Sequence, residues 1–160
     1  MEPRIAYGKV AREGIKAMAA LEQYLPACGL ERSLLDLVML RASQVNGCAA
    51  CIDAHWKELR AAGEEERRLY SLDAWRESPY YTERERAGLA WAESVTRITD
   101  GHAPDEVYGV ARRQFSEKEL VDLTLAVVLI NGWNRVNIAF RKVPGAYQPS
   151  AARAARKDAA

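Results

Sequence analysis

The sequence predicts an all-helical protein folded as a single domain, and three observations predict it. Apolar residues recur at spacings of three and four along most of the chain, which gathers side chains on one face of a helix. No segment shows sustained alternation with β-branched enrichment between hairpin turns. Helix start and stop signals fall about one helix length apart. At 160 residues and 17.9 kDa the chain is long enough for a real core, since a chain of this size hides roughly two thirds of its unfolded surface.

The first helix is predicted over residues 9 to 24, stopping before Pro26, because the residue ahead of a proline disfavours the helical region. A second runs from Glu31 to Asn46 and closes on Gly47, which tolerates the left-handed conformation of a helix end. On a wheel, Leu34, Leu35, Leu37, Val38, Met39, Ala42 and Val45 cover most of its circumference, leaving a narrow stripe with Arg32, Asp36 and Ser43. A helix this apolar is expected to be buried under another helix layer or another subunit. The third starts at or beside Cys48 and ends at Gly63, and a shorter one covers 64 to 75. After the loop "RESPYY", Thr82 and Glu85 form a capping signal for a helix reaching Ile98. The "DGHAP" segment breaks the chain, Pro104 suits the first turn of a short helix, and Ser116 with Glu119 caps a long helix to about Arg141. Residues 1–149 form the domain, and 150–160 are an Ala-rich tail, read as a frayed helix or disordered.

The charge pattern excludes some partners. Lys and Arg number 23 against 22 Asp and Glu, and the net +1 is spread along the chain, so neither nucleic acid nor an anionic membrane surface is attracted. The longest apolar run, Leu125 to Ile130, is far short of the roughly 20 residues a membrane helix needs. The N-terminus lacks the apolar centre of a signal peptide, and the expectation is a cytoplasmic protein. Three cysteines in a reducing compartment argue against a disulfide-stapled fold and for catalytic, metal-binding or packed thiols.

The chemistry concentrates in "NGCAACIDAHW", residues 46 to 56, where Cys48, Cys51 and His55 stand at i, i+3 and i+7 and share one helix face. Cys48, beside the Gly47 turn, lies at a helix N-terminus, where unpaired N–H groups and the dipole favour a thiolate. Cys51 has His55 four residues on, the better spacing for an imidazole to accept its proton. This spacing nominates Cys51 as attacking sulfur and Cys48 as resolving partner, although in many C-x-x-C helices the first cysteine is the exposed nucleophile. A thiolate attacks the O–O bond of a hydroperoxide and becomes a sulfenic acid, and a neighbouring thiol condenses with it before further oxidation. The resulting disulfide requires an external dithiol. Two other readings stand beside this one. Zinc needs four ligands, of which the motif supplies three, with only His102 or Cys28 to add. The pair can also be purely structural, since small buried cysteines pack well between helices. Cys28 reads as a packed thiol, His102 as a solvated loop residue, and Asp36 as a surface ion paired with Arg32 one turn earlier.

The stretch from "LLDLVMLRASQVNGCAACIDAHWKELRAAGEEERRLY" through "AWAESVT", continued by "LVDLTLAVVLINGWNRVNIAFRKVPG", closely resembles the AhpD-like (alkyl hydroperoxidase D) branch of the carboxymuconolactone decarboxylase family. The most specific part is "SQVNGCAACIDAH". The resemblance implies an all-α helical bundle that oligomerises through apolar helices, commonly as trimers or hexamers. It implies thiol-dependent peroxidase activity on small alkyl hydroperoxides, without metal or organic cofactor, with Cys51 attacking and Cys48 resolving. Its partners would be the hydroperoxide and a dithiol or thiol-protein reductant. His55 matches the family histidine of the proton relay. Where the family has a glutamate twelve residues before the first cysteine, this chain has Asp36, shorter by one methylene; the resemblance makes it an active-site acid. The family's peroxidase has a histidine between its cysteines, where this chain has Ala50. Alternatives are a lactone decarboxylase of the same superfamily, which does not depend on the cysteine pair, and a non-enzymatic redox-sensing or zinc-binding oligomer.

Two further groups are predicted to be structural. Asn131, Asn134 and Arg135 around Trp133 read as a buried hydrogen-bond network that fixes helix packing. Tyr70, Trp75, Tyr80, Tyr81 and Trp91 read as core and subunit contact.

Overall fold

The computed structural model describes residues 2–149, and among them all regular structure is helical. The first predicted helix is divided in two: α1 (Tyr7–Val10) and α2 (Arg12–Tyr24) break at Ala11, whose φ of −116° and ψ of 49° are not helical. A 3₁₀ turn, Leu25–Ala27, then takes up Pro26 in its first turn. α3 (Arg32–Asn46) ends on Gly47 at φ 69°, a left-handed conformation that costs an L-residue roughly 1–2 kcal/mol. α4 is Ala49–Ala61. The helix expected over 64–75 is only α5 (Glu66–Tyr70) followed by a 3₁₀ turn, Leu72–Ala74. Between them the Ser71 hydroxyl donates to the Arg67 carbonyl at 2.6 Å, a local bond that competes with helix continuation.

Both predicted capping boxes are present, opening α6 (Glu83–Thr96) from Thr82 and α8 (Glu117–Ala139) from Ser116. Glu119 accepts from the Ser116 N–H at 2.8 Å and from Arg84 at 2.6 Å, and these bonds hold its carboxyl down to about 2. Pro104 is the residue before α7 (Asp105–Gln114), one place ahead of the expected first turn. α6 and α8 stop two residues short of expectation, α8 before Arg141, which sits at φ 54°.

α3 is the hub. Every residue from Leu34 to Ser43 is buried, and α4, α6 and α8 pack against it. The layer expected over this apolar helix is therefore supplied by the chain itself. The stripe that contained Asp36 and Ser43 is buried too, Asp36 being 1% exposed, so the surface-ion reading of Asp36 is corrected. Arg32 does pair with it, Nε to Oδ2 at 3.1 Å, but from the solvent side of a buried carboxylate. α6 approaches α3 closely at Gly88, where a Cβ would stand 3.1 Å from Leu34 Cδ1.

A second buried ion joins the same two helices: Arg41 of α3 donates through Nε to Glu93 of α6 at 2.7 Å. The Trp75 indole donates to the same oxygen at 2.8 Å, and Arg76 reaches the other at 2.7 Å. Trp75, Tyr81 and Trp91 are buried as expected, but Tyr70 is 73% exposed and Tyr80 lies at the surface, with the Arg67 guanidinium 5.1 Å from its ring. Among the described residues no helix is long and apolar enough to cross a membrane. The tail expected over 150–160 falls outside the described residues.

Candidate active site

The link between α3 and α4 is two residues long. Gly47 reverses the chain and returns its N–H to the Gln44 carbonyl at 3.1 Å, while the Cys48 N–H donates to the Ser43 carbonyl at 3.0 Å. Cys48 is then the extended residue that opens α4, at φ −84° and ψ 93°, and its carbonyl accepts from Cys51 and Ile52. No acidic residue stands in the first turn of α4 to oppose negative charge there. Cys48 and Cys51 are joined as a disulfide, with Cα atoms 5.4 Å apart. Cys28 is a free buried thiol in the core, and His102 is an exposed loop residue at φ 52°. Among the described residues no group of three His, Cys, Asp or Glu side chains is placed to hold a metal ion.

A cleft of about 320 Å³ opens on this disulfide. Cys51 and His55, one turn apart on α4, both line it; Cys48 does not. Ile130 and Trp133 of α8 form an apolar wall, and Glu22 of α2 and Arg32 of α3 stand at the rim. Asp36 is not itself in the lining. It lies beneath it, holding Arg32, and its charge reaches Tyr147, which does line the cleft. Of the four residues the sequence nominated, two line the cleft, one is bonded behind it and one supports its rim.

Several lining residues were not singled out from the sequence. Glu58 is a buried carboxylate that accepts a hydrogen bond from the Tyr147 hydroxyl. Burial, then the negative charges of Glu22 and Asp36, push the Tyr147 phenol up, so it stays a proton donor across the physiological range. The segment bearing Tyr147 is fastened to α4: Lys57 Nζ donates to the carbonyls of Gly145 and Tyr147 at 3.0 and 3.1 Å, and the Gly145 N–H donates to Asp53 at 3.0 Å. Asn137 of α8 donates from Nδ2 to the Cys51 sulfur at 3.2 Å and accepts from the Tyr7 hydroxyl at 2.5 Å. Only Glu58 had a local clue, three residues beyond His55 on the same helix face.

Behind the disulfide the asparagines take the structural role expected of them. Asn134 Nδ2 donates to the Ser43 hydroxyl at 3.1 Å, and Asn46 donates to Asn134 at 2.8 Å and to Asn131 at 3.0 Å. These bonds tie α8 to the end of α3 next to the Gly47 turn. Arg135 donates to Asn131 at 2.8 Å from the exposed side.

Fold and site together define a helical protein built around a bonded cysteine pair at a helix N-terminus. The pattern of the Carboxymuconolactone decarboxylase family matches residues 12–94, and the chain belongs to this family, in its AhpD-like branch. Uncharacterized protein YdfG of Bacillus subtilis (strain 168) is 41% identical over 139 residues, 87% of this chain and 95% of that one. Alkyl hydroperoxide reductase AhpD of Bradyrhizobium diazoefficiens is 51% identical over 35 residues, 22% of this chain and 19% of the reductase. A solved structure from Agrobacterium tumefaciens, of a protein of unknown function suggested to be an antioxidant defence protein AhpD, is 44% identical. It superposes with a TM-score of 0.88, covering 91% of this chain and all of the other.

Proposed function

We propose that the protein is a thiol-dependent peroxidase that reduces small hydroperoxides through Cys51 and Cys48. One observation carries the reading: the Cys51 sulfur, bonded to Cys48, stands in the wall of a cleft that His55 also lines. Because Cys48 is outside the lining, Cys51 is the sulfur a small molecule in the cleft meets, which supports it as the attacking one. In the reduced protein the Cys51 thiolate attacks the hydroperoxide oxygen; an S–O bond forms, the O–O bond breaks and alkoxide leaves. His55 supplies the proton that releases it as an alcohol, with Asp36 as the second member of the relay. Cys51 is then a sulfenic acid. The Cys48 thiolate attacks that sulfur, forming the disulfide as hydroxide leaves and is protonated to water. An external dithiol, small or carried on a protein, returns two electrons and two protons and becomes a disulfide in turn. No metal or organic cofactor enters these steps, and the cycle suits the reducing cytoplasm. Assembly into a homo-oligomer belongs to the same reading, with Val121 and Val128 of α8, exposed two turns apart, as a face for a second copy.

Counting thiols tests this directly. Pre-reduced protein has three, and one equivalent of a small organic hydroperoxide is expected to leave one, with Cys48 joined to Cys51 and Cys28 untouched. An unchanged count of three sinks the reading and favours the lactone decarboxylase or a purely structural cysteine pair. The role of Asp36 has its own measurement. Asp36→Asn is expected to slow Cys51 oxidation about tenfold or more and to alter its pH–rate profile, by removing a carboxylate from the relay. An unchanged profile would leave Asp36 only its pairing with Arg32.

A further inference from the structure

Asn137 is 86 residues from Cys51 in sequence, outside the span matched by the family pattern, and 7% exposed. Its side chain makes two contacts of opposite sense. Nδ2 faces the Cys51 sulfur at 3.2 Å, and Oδ1 accepts from the Tyr7 hydroxyl at 2.5 Å. A disulfide sulfur carries no proton, so only the NH₂ side of the amide can bond to it, and the hydroxyl on the other side is left to donate to Oδ1. Tyr7 thus fixes which way the amide points. Tyr7 is itself held: its ring packs on Phe140 with centroids 5.8 Å apart, and the chain ahead of it is anchored by the Arg4 N–H on the Phe140 carbonyl at 3.0 Å.

We infer that Asn137 is a catalytic residue that donates a hydrogen bond to the Cys51 sulfur as it gains negative charge, and that Tyr7 is the positioning residue that aims it. The inference rests on the reading of Cys51 as the reacting sulfur. A weak contact to a neutral sulfur becomes a charge-assisted bond once the sulfur is a thiolate, and it needs no reorganisation because the amide is already in place. The same N–H serves two half-reactions. It favours the thiolate before attack on peroxide, and it receives the charge on Cys51 again during reduction, when the second thiolate of an external dithiol attacks the sulfur joined to Cys51, closes its own disulfide and releases Cys51. The α4 dipole acts chiefly on Cys48 at the helix end; Asn137 supplies to Cys51, one turn in, a donor that its own helix cannot.

The test is iodoacetamide alkylation of the fully reduced, full-length protein between pH 5 and 10, with the modified cysteine mapped by mass spectrometry, compared with Asn137→Asp and Tyr7→Phe. Asn137→Asp keeps the shape and replaces the donor by an acceptor that carries charge. Its Cys51 titration midpoint is expected to move up by about one pH unit or more, with alkylation near pH 7 about tenfold slower. Tyr7→Phe removes one hydroxyl and preserves packing, and a smaller shift in the same direction is expected. The other titratable groups around the sulfur are the same in all three proteins: the reduced Cys48 thiol beside it, His55 and Glu58 from α4, Glu22 from α2, Arg32 from α3, and Lys142 and Tyr147 from the C-terminal segment. Superimposable profiles in all three proteins would overturn the inference, and a shift in Asn137→Asp with none in Tyr7→Phe would overturn the part given to Tyr7. Alkylation needs no peroxide, so shifted profiles in a protein that consumes no hydroperoxide would support Asn137 while the peroxidase reading fails.

Discussion

Cys51→Ser is expected to abolish hydroperoxide consumption in the presence of a dithiol, by on the order of 10³-fold or more, because no other thiol lines the cleft in its place. The substitution is nearly isosteric at a site 4% exposed, so the folded state should survive, and an unchanged thermal melt of the reduced protein would separate lost chemistry from lost structure. Cys48→Ser should differ in kind. Cys51 can still take one oxygen, but its sulfenic acid has no neighbour to resolve it. One equivalent of peroxide would be consumed rapidly and turnover would then depend on thiol supplied in solution. A dimedone adduct at Cys51 in Cys48→Ser and none in Cys51→Ser is the mass-spectrometric signature. Full turnover by Cys51→Ser would reverse the assignment of the two sulfurs.

The largest loss of stability is expected from Glu93→Ala. Glu93 and Arg41 are 4% and 6% exposed, and the substitution leaves the Arg41 guanidinium buried, with Asp73 at its outer edge as the remaining carboxylate. Stranding one member of a buried pair costs about 3–5 kcal/mol, and Asp73 should hold the loss near the lower figure. For a chain of this length that is roughly 6–12 °C in Tm. The cost belongs to the stranded charge, so Arg41→Met combined with Glu93→Leu should recover much of it; if it does not, the helices depend on the ion pair itself. The pair also has a pH signature. Burial alone would raise the Glu93 carboxyl, but hydrogen bonds from Trp75, Arg41 and Arg76 outweigh it and hold it below its ordinary 4.5. A carboxyl depressed on folding stabilises fully above its unfolded value. That contribution is expected to fall as pH drops from 4.5 through the lower folded value, and Glu93→Gln should flatten this limb of the acid-denaturation curve.

What the sequence revealed and what it concealed divide along chain distance. Gly47, Gly63 and the two capping boxes act within four residues of themselves, and each stands where the sequence placed a helix end. The breaks at Ala11 and Ser71 had no proline or glycine to announce them. Cys48, Cys51 and His55 were legible because one helix face brings them together. Tyr7, Asn137 and Tyr147 were not, since their partners lie 130, 86 and 89 residues away and only the packed fold makes them neighbours. Asp36 was misread for a related reason. Its i,i+4 pairing with Arg32 looks like an exposed pair until α3 is seen to be covered on every side.

The C-terminal segment fastened to α4 has a consequence for anyone who would shorten this protein. Residues 12–94 carry the family pattern, both motif cysteines and His55, and look like a sufficient unit. Cut there, the chain would lose α8, and with it Asn137 and the helix that covers one side of α3. It would lose Tyr7 at one end and Tyr147 at the other. The two thiols would persist without walls, open to any oxidant and selective for none. Bulky additions close to residue 7 or residue 147 belong under the same suspicion, because Tyr147 lines the cleft and Tyr7 holds the Asn137 that lines it too.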